Sequence, residues 1–367
     1  MKNLVLEKAK FIWNEYGMSI TIFSVSRIII YFVFILVSAH SFGEARVDRW
    51  DAQHYLSIAE KGYQFQGEYK NEGALIAFFP FYPIVIKVVH FVFRLSFINA
   101  ALLISFFSGI GSAILLFKLV SKWKGKEVAL TAVSLFSFYP FSIFLSVPYT
   151  ESLFVFLVLL TLYFFQKRML VSSIATVSLL CLTKITGGIL GFIFVWQILW
   201  KTKSLIKTFF FSFCAGIPLF AFLYFQYMKY GTPFAFLVAQ EKNWGHNFVF
   251  PWSGFIIFAK STIYDTNLVG MRMPEFFMLL LMIGTLIFSF KKIPQNIWIF
   301  GVGILLLTLC NNFILGMGRY LMLILPFYFY WGWFLSNRSL ARQLVLIISA
   351  CWMVFNTILF SLSKYIF

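Results

Sequence analysis

The sequence predicts an all-α polytopic membrane protein, and three observations carry that expectation. Of its 367 residues, 61% are hydrophobic, 21% aromatic and 12% charged, a usage far outside that of soluble domains. Apolar runs of roughly bilayer-crossing length recur from Ser19 to the C-terminus. The lysines and arginines behind the formal net charge of +17 fall in short clusters between those runs. They read as topology determinants with a weaker role at anionic headgroups, and this pattern argues against a nucleic-acid surface.

The elements follow in order. Lys2, Lys8 and Lys10 should hold the N-terminus in the cytoplasm, and Arg27 reads as part of the turn entering the uncharged run 28–39, within an apolar stretch that starts at Ser19. Val37-Ser38-Ala39 faintly resembles a signal-peptidase site, but the stretch from Ser19 exceeds a usual h-region and more spans follow, so an uncleaved anchor is expected. Further runs occupy 98–120, 128–147, 152–165, 170–183, 185–200, 208–228, 274–290, 297–311, 320–335 and 344–362. Clusters such as Lys118/Lys122/Lys124/Lys126, Lys167/Arg168, Lys201/Lys203/Lys207, Lys291/Lys292 and Arg338/Arg342 fill alternate gaps, which should face the cytoplasm. Segment 74–93 is apolar but holds Pro80, Pro83, Lys87 and His90. Placing it as a re-entrant or interfacial element on the outer side preserves the charge rule for every later loop. About eleven spans and an external C-terminus result, unless 170–183 and 185–200 form one bent helix, which would invert the later orientations. The chain reads as one domain, 1–367, with a first outer loop at 40–97 and a second at 229–273.

This topology gathers the unusual residues on the outer side. Asp51 follows Trp50 at the start of a short amphipathic stretch ended by Gly62. It suits a helix N-cap and equally a general base beside a low-dielectric surface. Glu151 opens an apolar run, where an acid complements a helix N-terminus. Lys184, isolated between apolar runs, either snorkels to the interface or does chemistry. Arg319 either anchors an interface or contacts a phosphate. The second outer loop carries Gln240-Glu241-Lys242-Asn243-Trp244-Gly245-His246, which suits a sugar or lipid headgroup and also an ordinary aromatic belt. His40, His54, His90 and His246 are too scattered for a metal motif, and Cys181, Cys214, Cys310 and Cys351 read as packing residues. No Gly-rich phosphate loop follows a strand, so a nucleotide site of that kind has no support.

Three blocks carry a resemblance: Arg49-Trp50-Asp51-Ala52 with Tyr55-Leu56-Ser57-Ile58-Ala59 and Gly62-Tyr63; Phe78-Phe79-Pro80-Phe81-Tyr82-Pro83; and Tyr149-Thr150-Glu151-Ser152-Leu153-Phe154. Thr183-Lys184 with Gly187, and Gly318-Arg319-Tyr320, match less closely. The chain resembles the PIG-V-type GPI mannosyltransferase II family of the GT-C glycosyltransferases. The resemblance implies a GT-C-like fold with a juxtamembrane element after the first helix. It implies an inverting transfer of a sugar, typically mannose, from a polyprenyl- or dolichyl-phosphate donor to an extracytoplasmic lipid or glycan acceptor. Asp51 would be the general base, with Glu151 as the second acidic position, orienting the acceptor or helping to bind a metal as in some members. Lys184 and Arg319 would bind the donor phosphate. Arg49, Trp50, His54, Tyr55, Tyr82, Tyr149, Trp244 and His246 are the expected substrate contacts, and no cofactor or metal is expected. His54 stands where many relatives have another aromatic residue, and His246 where Arg is common, which bears on acceptor identity. The chain's length and lack of a retention signal favour a prokaryotic plasma (inner) membrane and a cell-envelope acceptor. The competing readings are a polytopic lipid or glycolipid transporter or flippase and a non-catalytic lipid-binding scaffold. Crowding of the informative residues on one face and the lack of an internal repeat weigh against transport.

Overall fold

The computed structural model describes residues 2–40, 46–64, 73–264 and 269–364. Parts of both expected outer loops, 41–45, 65–72 and 265–268, lie outside the described residues. The helices are α1 (Lys2–His40), α2 (Asp51–Lys61), α3 (Phe81–Phe93), α4 (Phe97–Lys124), α5 (Lys126–Ser137), α6 (Glu151–Lys167), α7 (Leu170–Thr183) and α8 (Gly188–Thr202). They continue with α9 (Leu205–Tyr230), α10 (Ala235–Trp244), α11 (Pro251–Tyr264), α12 (Val269–Ser289), α13 (Gln295–Leu309), α14 (Met317–Leu321), α15 (Leu325–Ser336) and α16 (Ser339–Ser361). Helices satisfy their own backbone polar groups, which a segment in lipid must do. The Ser96 and Ser204 hydroxyls cap α4 and α9 by accepting the Asn99 and Lys207 N–H groups.

Among the described residues, α1, α4, α9 and α16 contain stretches long and apolar enough to cross a bilayer, as do Ile185–Thr202, ending in α8, and Arg272–Ser289 of α12. This is an integral membrane protein. The other expected spans correspond to the shorter α5, α6, α7, α13 and α15, so helix length alone does not establish eleven crossings. The residues of α5, α6 and α15 are mostly buried, whereas α1, α9 and α16 turn residues such as Phe32, Phe209 and Ile348 outward. Such an apolar exterior suits lipid as the surrounding solvent. Helix α3, at 13 residues, is about 20 Å long by helical rise. That falls short of a hydrocarbon core of about 30 Å, in keeping with an interfacial element.

Helices α7 and α8 are separate. Lys184 is extended (φ −153°, ψ 145°), and the chain folds back so tightly that a Cβ on Gly187 would lie 2.5 Å from the Leu180 carbonyl oxygen. Gly191 then lies against Val177 and Cys181, which makes the pair a hairpin and removes the bent-helix alternative.

The expected run 128–147 is not one helix. Helix α5 stops at Ser137 just ahead of Tyr139-Pro140, a dipeptide that disfavours continuing helix. The chain then passes through buried, largely non-helical backbone to Glu151. Irregular backbone at membrane depth needs partners from the protein, and surrounding side chains supply them. Arg27 donates to the Ser137 carbonyl (2.6 Å) and the Ser142 carbonyl (2.5 Å) and to the hydroxyls of Ser142 and Ser146 (both 2.9 Å). Tyr31, Ser105, Ser349 and Asn356 donate to the carbonyls of Ser146, Val147, Phe138 and Pro140. Arg27 is therefore an interior cation of α1, with 0% exposure, and not part of a turn entering the helix as the sequence suggests. It was misread because its partners lie 110 to 119 residues away.

Candidate active site

Asp51 is the first residue of α2, preceded by Trp50 at a positive φ (φ 52°, ψ −120°). A non-glycine residue there is strained, and strain of this kind collects at functional sites. Asp51 does not cap its helix. Its Oδ2 accepts from Arg319 Nη1 at 2.6 Å.

Glu151 likewise opens α6 without capping it. Its Oε1 accepts from Lys184 Nζ at 2.5 Å and faces Arg319 Nε at 3.5 Å. The four charges alternate through contact: Lys184, Glu151, Arg319, Asp51. The two inner members are buried, Glu151 at 1% and Arg319 at 8%, while the outer ones, Lys184 at 17% and Asp51 at 28%, are partly open. A buried and a half-buried cation this close are tolerable because the carboxylates interleave. Tyr320 completes the cluster: its hydroxyl accepts from Arg319 Nη2 at 2.8 Å, and the Lys184 ammonium lies 5.6 Å from its ring centroid. Burial works against the Arg319 charge, but Tyr320, Asp51 and Glu151 outweigh it and hold the guanidinium firmly protonated.

Arg319 is aimed by its own turn. A Cβ on Gly318 would sit 2.5 Å from the Phe141 ring, so a glycine hydrogen is what fits there. The Gly318 N–H donates to Glu275 Oε1 at 3.0 Å, and its carbonyl accepts from Tyr139 at 3.4 Å. The irregular segment before α6 and the start of α12 thus form the seat of Arg319.

A cavity of about 340 Å³ opens above these charges, lined in part by Trp50, Asp51, His54, Tyr55, Lys184, Trp244, His246 and Arg319. The structure therefore collects eight of the expected site residues in one place. Arg49, Tyr82, Tyr149 and Glu151 stand behind them. Tyr149 donates to the Arg49 carbonyl at 3.2 Å, and Arg319 lies 5.3 Å from its ring. Arg49 reaches the Ser361 carbonyl at 3.3 Å, and fully buried Tyr82 packs edge-on to Tyr55. On the far wall His54 stacks on Phe78 at 4.7 Å, and Trp244 meets Phe78 edge-on. Loop 245–250 is pinned to 310–313 by the Phe248–Asn311 bridge and by Asn247 N–H donating to Asn312 Oδ1 at 2.7 Å. This tie brings His246 to the same cavity as Arg319. Burial lowers the affinity of His54 and His246 for a proton, with nearby Asp51 opposing the shift in both. Both rings are therefore biased toward the neutral form.

Phe78, Gln240 and Tyr320, which the sequence offers only inside longer motifs, and Thr186, which it does not single out, also line the cavity, and Glu275 supports it through Gly318. Tyr320 adjoins Arg319 in a motif already singled out. Glu275 carried the same signal as Glu151, an acid at the head of an apolar run, but was read as part of that run.

The sequence profile of the mannosyltransferase (PIG-V) family matches residues 23–265. The chain belongs to the PIG-V mannosyltransferase family. The match includes Asp51, Glu151, Lys184, Trp244 and His246, while Glu275 and Arg319 lie beyond it and join the site through the contacts above. Among solved structures, the PIG-V family chain is similar to ArnT from Cupriavidus metallidurans, determined with undecaprenyl phosphate bound, at a TM-score of 0.55 and 14% identity. The alignment covers 88% of this chain and 62% of ArnT, so the PIG-V family chain spans less than two thirds of that protein. At this identity the likeness establishes the GT-C fold. No curated protein sequence matches the chain.

Proposed function

We propose that the protein transfers a hexose, of mannose type, from a polyprenyl-phosphate donor to a hydroxyl of a lipid- or glycan-linked acceptor, with inversion at the sugar. The observation carrying this reading is the convergence of a carboxylate, Asp51, and two cations, Lys184 and Arg319, on one cavity at one end of the helices. Family membership supports the sugar class, and the carrier lipid bound by the similarly folded ArnT supports the donor class. Asp51 takes the acceptor hydroxyl proton, the acceptor oxygen bonds to the anomeric carbon, and the carbon–oxygen bond to the phosphate breaks. The electron pair leaves with the phosphate oxygen, and its growing charge is stabilised by Lys184 and Arg319. An ammonium offers three N–H donors and a guanidinium five. Among the described residues, Glu151, Asp51 and Tyr320 occupy part of that supply, which leaves hydrogens for a phosphate. Trp50, Tyr55, Trp244, His54 and His246 contact the sugar and acceptor. The proposed step uses no metal. The basic clusters at the opposite ends of the helices favour an extracytoplasmic site in a plasma (inner) membrane.

The test is reconstitution of purified protein with radiolabelled polyprenyl-phosphate mannose and envelope lipid extract. Label should move to a new lipid or glycan product. Transfer from a nucleotide sugar without the lipid donor would overturn the donor assignment. Translocation of the labelled lipid with no change in its mass would favour the flippase reading.

A second measurement concerns Glu275, which positions Arg319 through the Gly318 N–H. Losing a buried acceptor costs about 1–3 kcal/mol, so Glu275→Ala should lower kcat/KM for the donor about tenfold or more. Glu275→Gln, whose amide oxygen still accepts, should recover most of the loss. Equal rates for both variants would remove Glu275 from this positioning role.

A further inference from the structure

A second cavity, of about 590 Å³, lies at the opposite end of the bundle. The last turns of α4, α6 and α8 meet the first turn of α13 there. Its polar lining is Lys122, Lys201, Gln166, Gln197 and Asn296, and Trp123 and Phe329, 5.7 Å apart, form an aromatic floor.

Three features give this cavity a ligand class. Its lining includes no carboxylate, and among the described residues neither lysine is in an ion pair. That contrasts with Lys184 and Arg319, which are balanced by protein acids. Helix α13 starts at the rim without a side-chain cap, so its first N–H groups and positive dipole end add to the attraction for an anion. Finally, Trp196 and Trp200 stack 6.3 Å apart on the last turns of α8, with Trp200 74% exposed. Tryptophans on a membrane protein's exterior mark headgroup depth, so the cavity mouth lies at the level of lipid phosphates.

We propose that this cavity binds the phosphate headgroup of an anionic membrane lipid, with Lys122 and Lys201 on the phosphate and the three amide side chains on the headgroup hydroxyls. The site is independent of the transferase reading, since it shares no lining residue with the first cavity. Basic pockets between helices on the positively charged side of a membrane protein are suited to this role.

The experiment is native mass spectrometry of the full chain, released from bilayers of phosphatidylglycerol and phosphatidylcholine. Wild type should retain phosphatidylglycerol over phosphatidylcholine. Each lysine charge near an anionic surface changes affinity about fivefold, so the double variant Lys122→Gln/Lys201→Gln should retain it on the order of 25-fold less well. Lys122→Arg/Lys201→Arg should keep it, as should Lys207→Gln, whose charge lies outside the cavity. Equal retention by wild type and the double glutamine variant overturns the proposal. Displacement of the lipid by inorganic phosphate at equal concentration also overturns it, because the site would then recognise the free ion.

Discussion

Asp51→Asn is expected to lower sugar transfer by about 10²–10⁴-fold, the usual contribution of a positioned general base, while the donor binds at least as tightly as in wild type. The geometry separates the two readouts. An asparagine amide oxygen can still accept from Arg319 Nη1, now at 2.6 Å from Asp51 Oδ2, so the local fold should persist. What disappears is a proton acceptor and a negative charge. Removing that charge takes away a competitor for Arg319, which is why donor binding should hold or tighten as kcat collapses. If Asp51 merely anchored Arg319, the opposite pattern would appear: weaker donor binding with little change in kcat. Single-turnover transfer and equilibrium donor binding on the same preparation tell the two apart. Wild-type turnover in the variant would falsify the base assignment.

Glu151→Gln is expected to damage stability and donor binding together. Its carboxylate is 1% exposed and touches both cations, so neutralising it leaves Lys184 and Arg319 sharing one remaining acid, Asp51. Breaking a buried ion pair by removing one partner costs about 3–5 kcal/mol, enough to lower the thermal midpoint measurably. The same logic predicts a rescue. Adding Lys184→Gln removes the cation left unbalanced, so the double variant should be more stable than Glu151→Gln alone, although it remains defective in donor binding. Tryptophan fluorescence melts of the four proteins in the cycle measure this coupling. Additive losses in that cycle would show that the two side chains do not work as a pair. Glu151 would then act by holding the two proposed phosphate-binding cations in place, since the cavity lining leaves it out.

The legible part of this site consisted of charges standing against an apolar background. Asp51, Glu151, Lys184 and Arg319 were each visible because an ionisable group at the end of an apolar run is costly and invites a reason. Their grouping followed from counting helices and applying the charge rule, and the contacts between them agree. What could not be read was which way each side chain faces. Tyr55 and Tyr82 both sit in matched blocks, yet Tyr55 lines the cavity and Tyr82 packs behind it. That difference is made by packing between α2 and α3. Glu275 was missed for a related reason: its acceptor role depends on Gly318, 43 residues away. The end of α5 at Ser137 was hidden because hydropathy stays high through Tyr139-Pro140-Phe141, whereas helix does not.

Arg27 bears on how the chain is built. During synthesis α1 emerges well before Ser137, Ser142 and Ser146, the residues that later surround its guanidinium. An arginine in the middle of a lone helix costs about 2.5–3.5 kcal/mol to insert, so the nascent first helix carries an unmet demand until the chain through Ser146 has been made. It should linger beside the insertion machinery over that interval, and stalled ribosomes carrying chains cut before and after residue 146 would reveal the release by crosslinking. An arginine that braces the segment seating Arg319 is thereby expected to time the assembly of this enzyme's first helices.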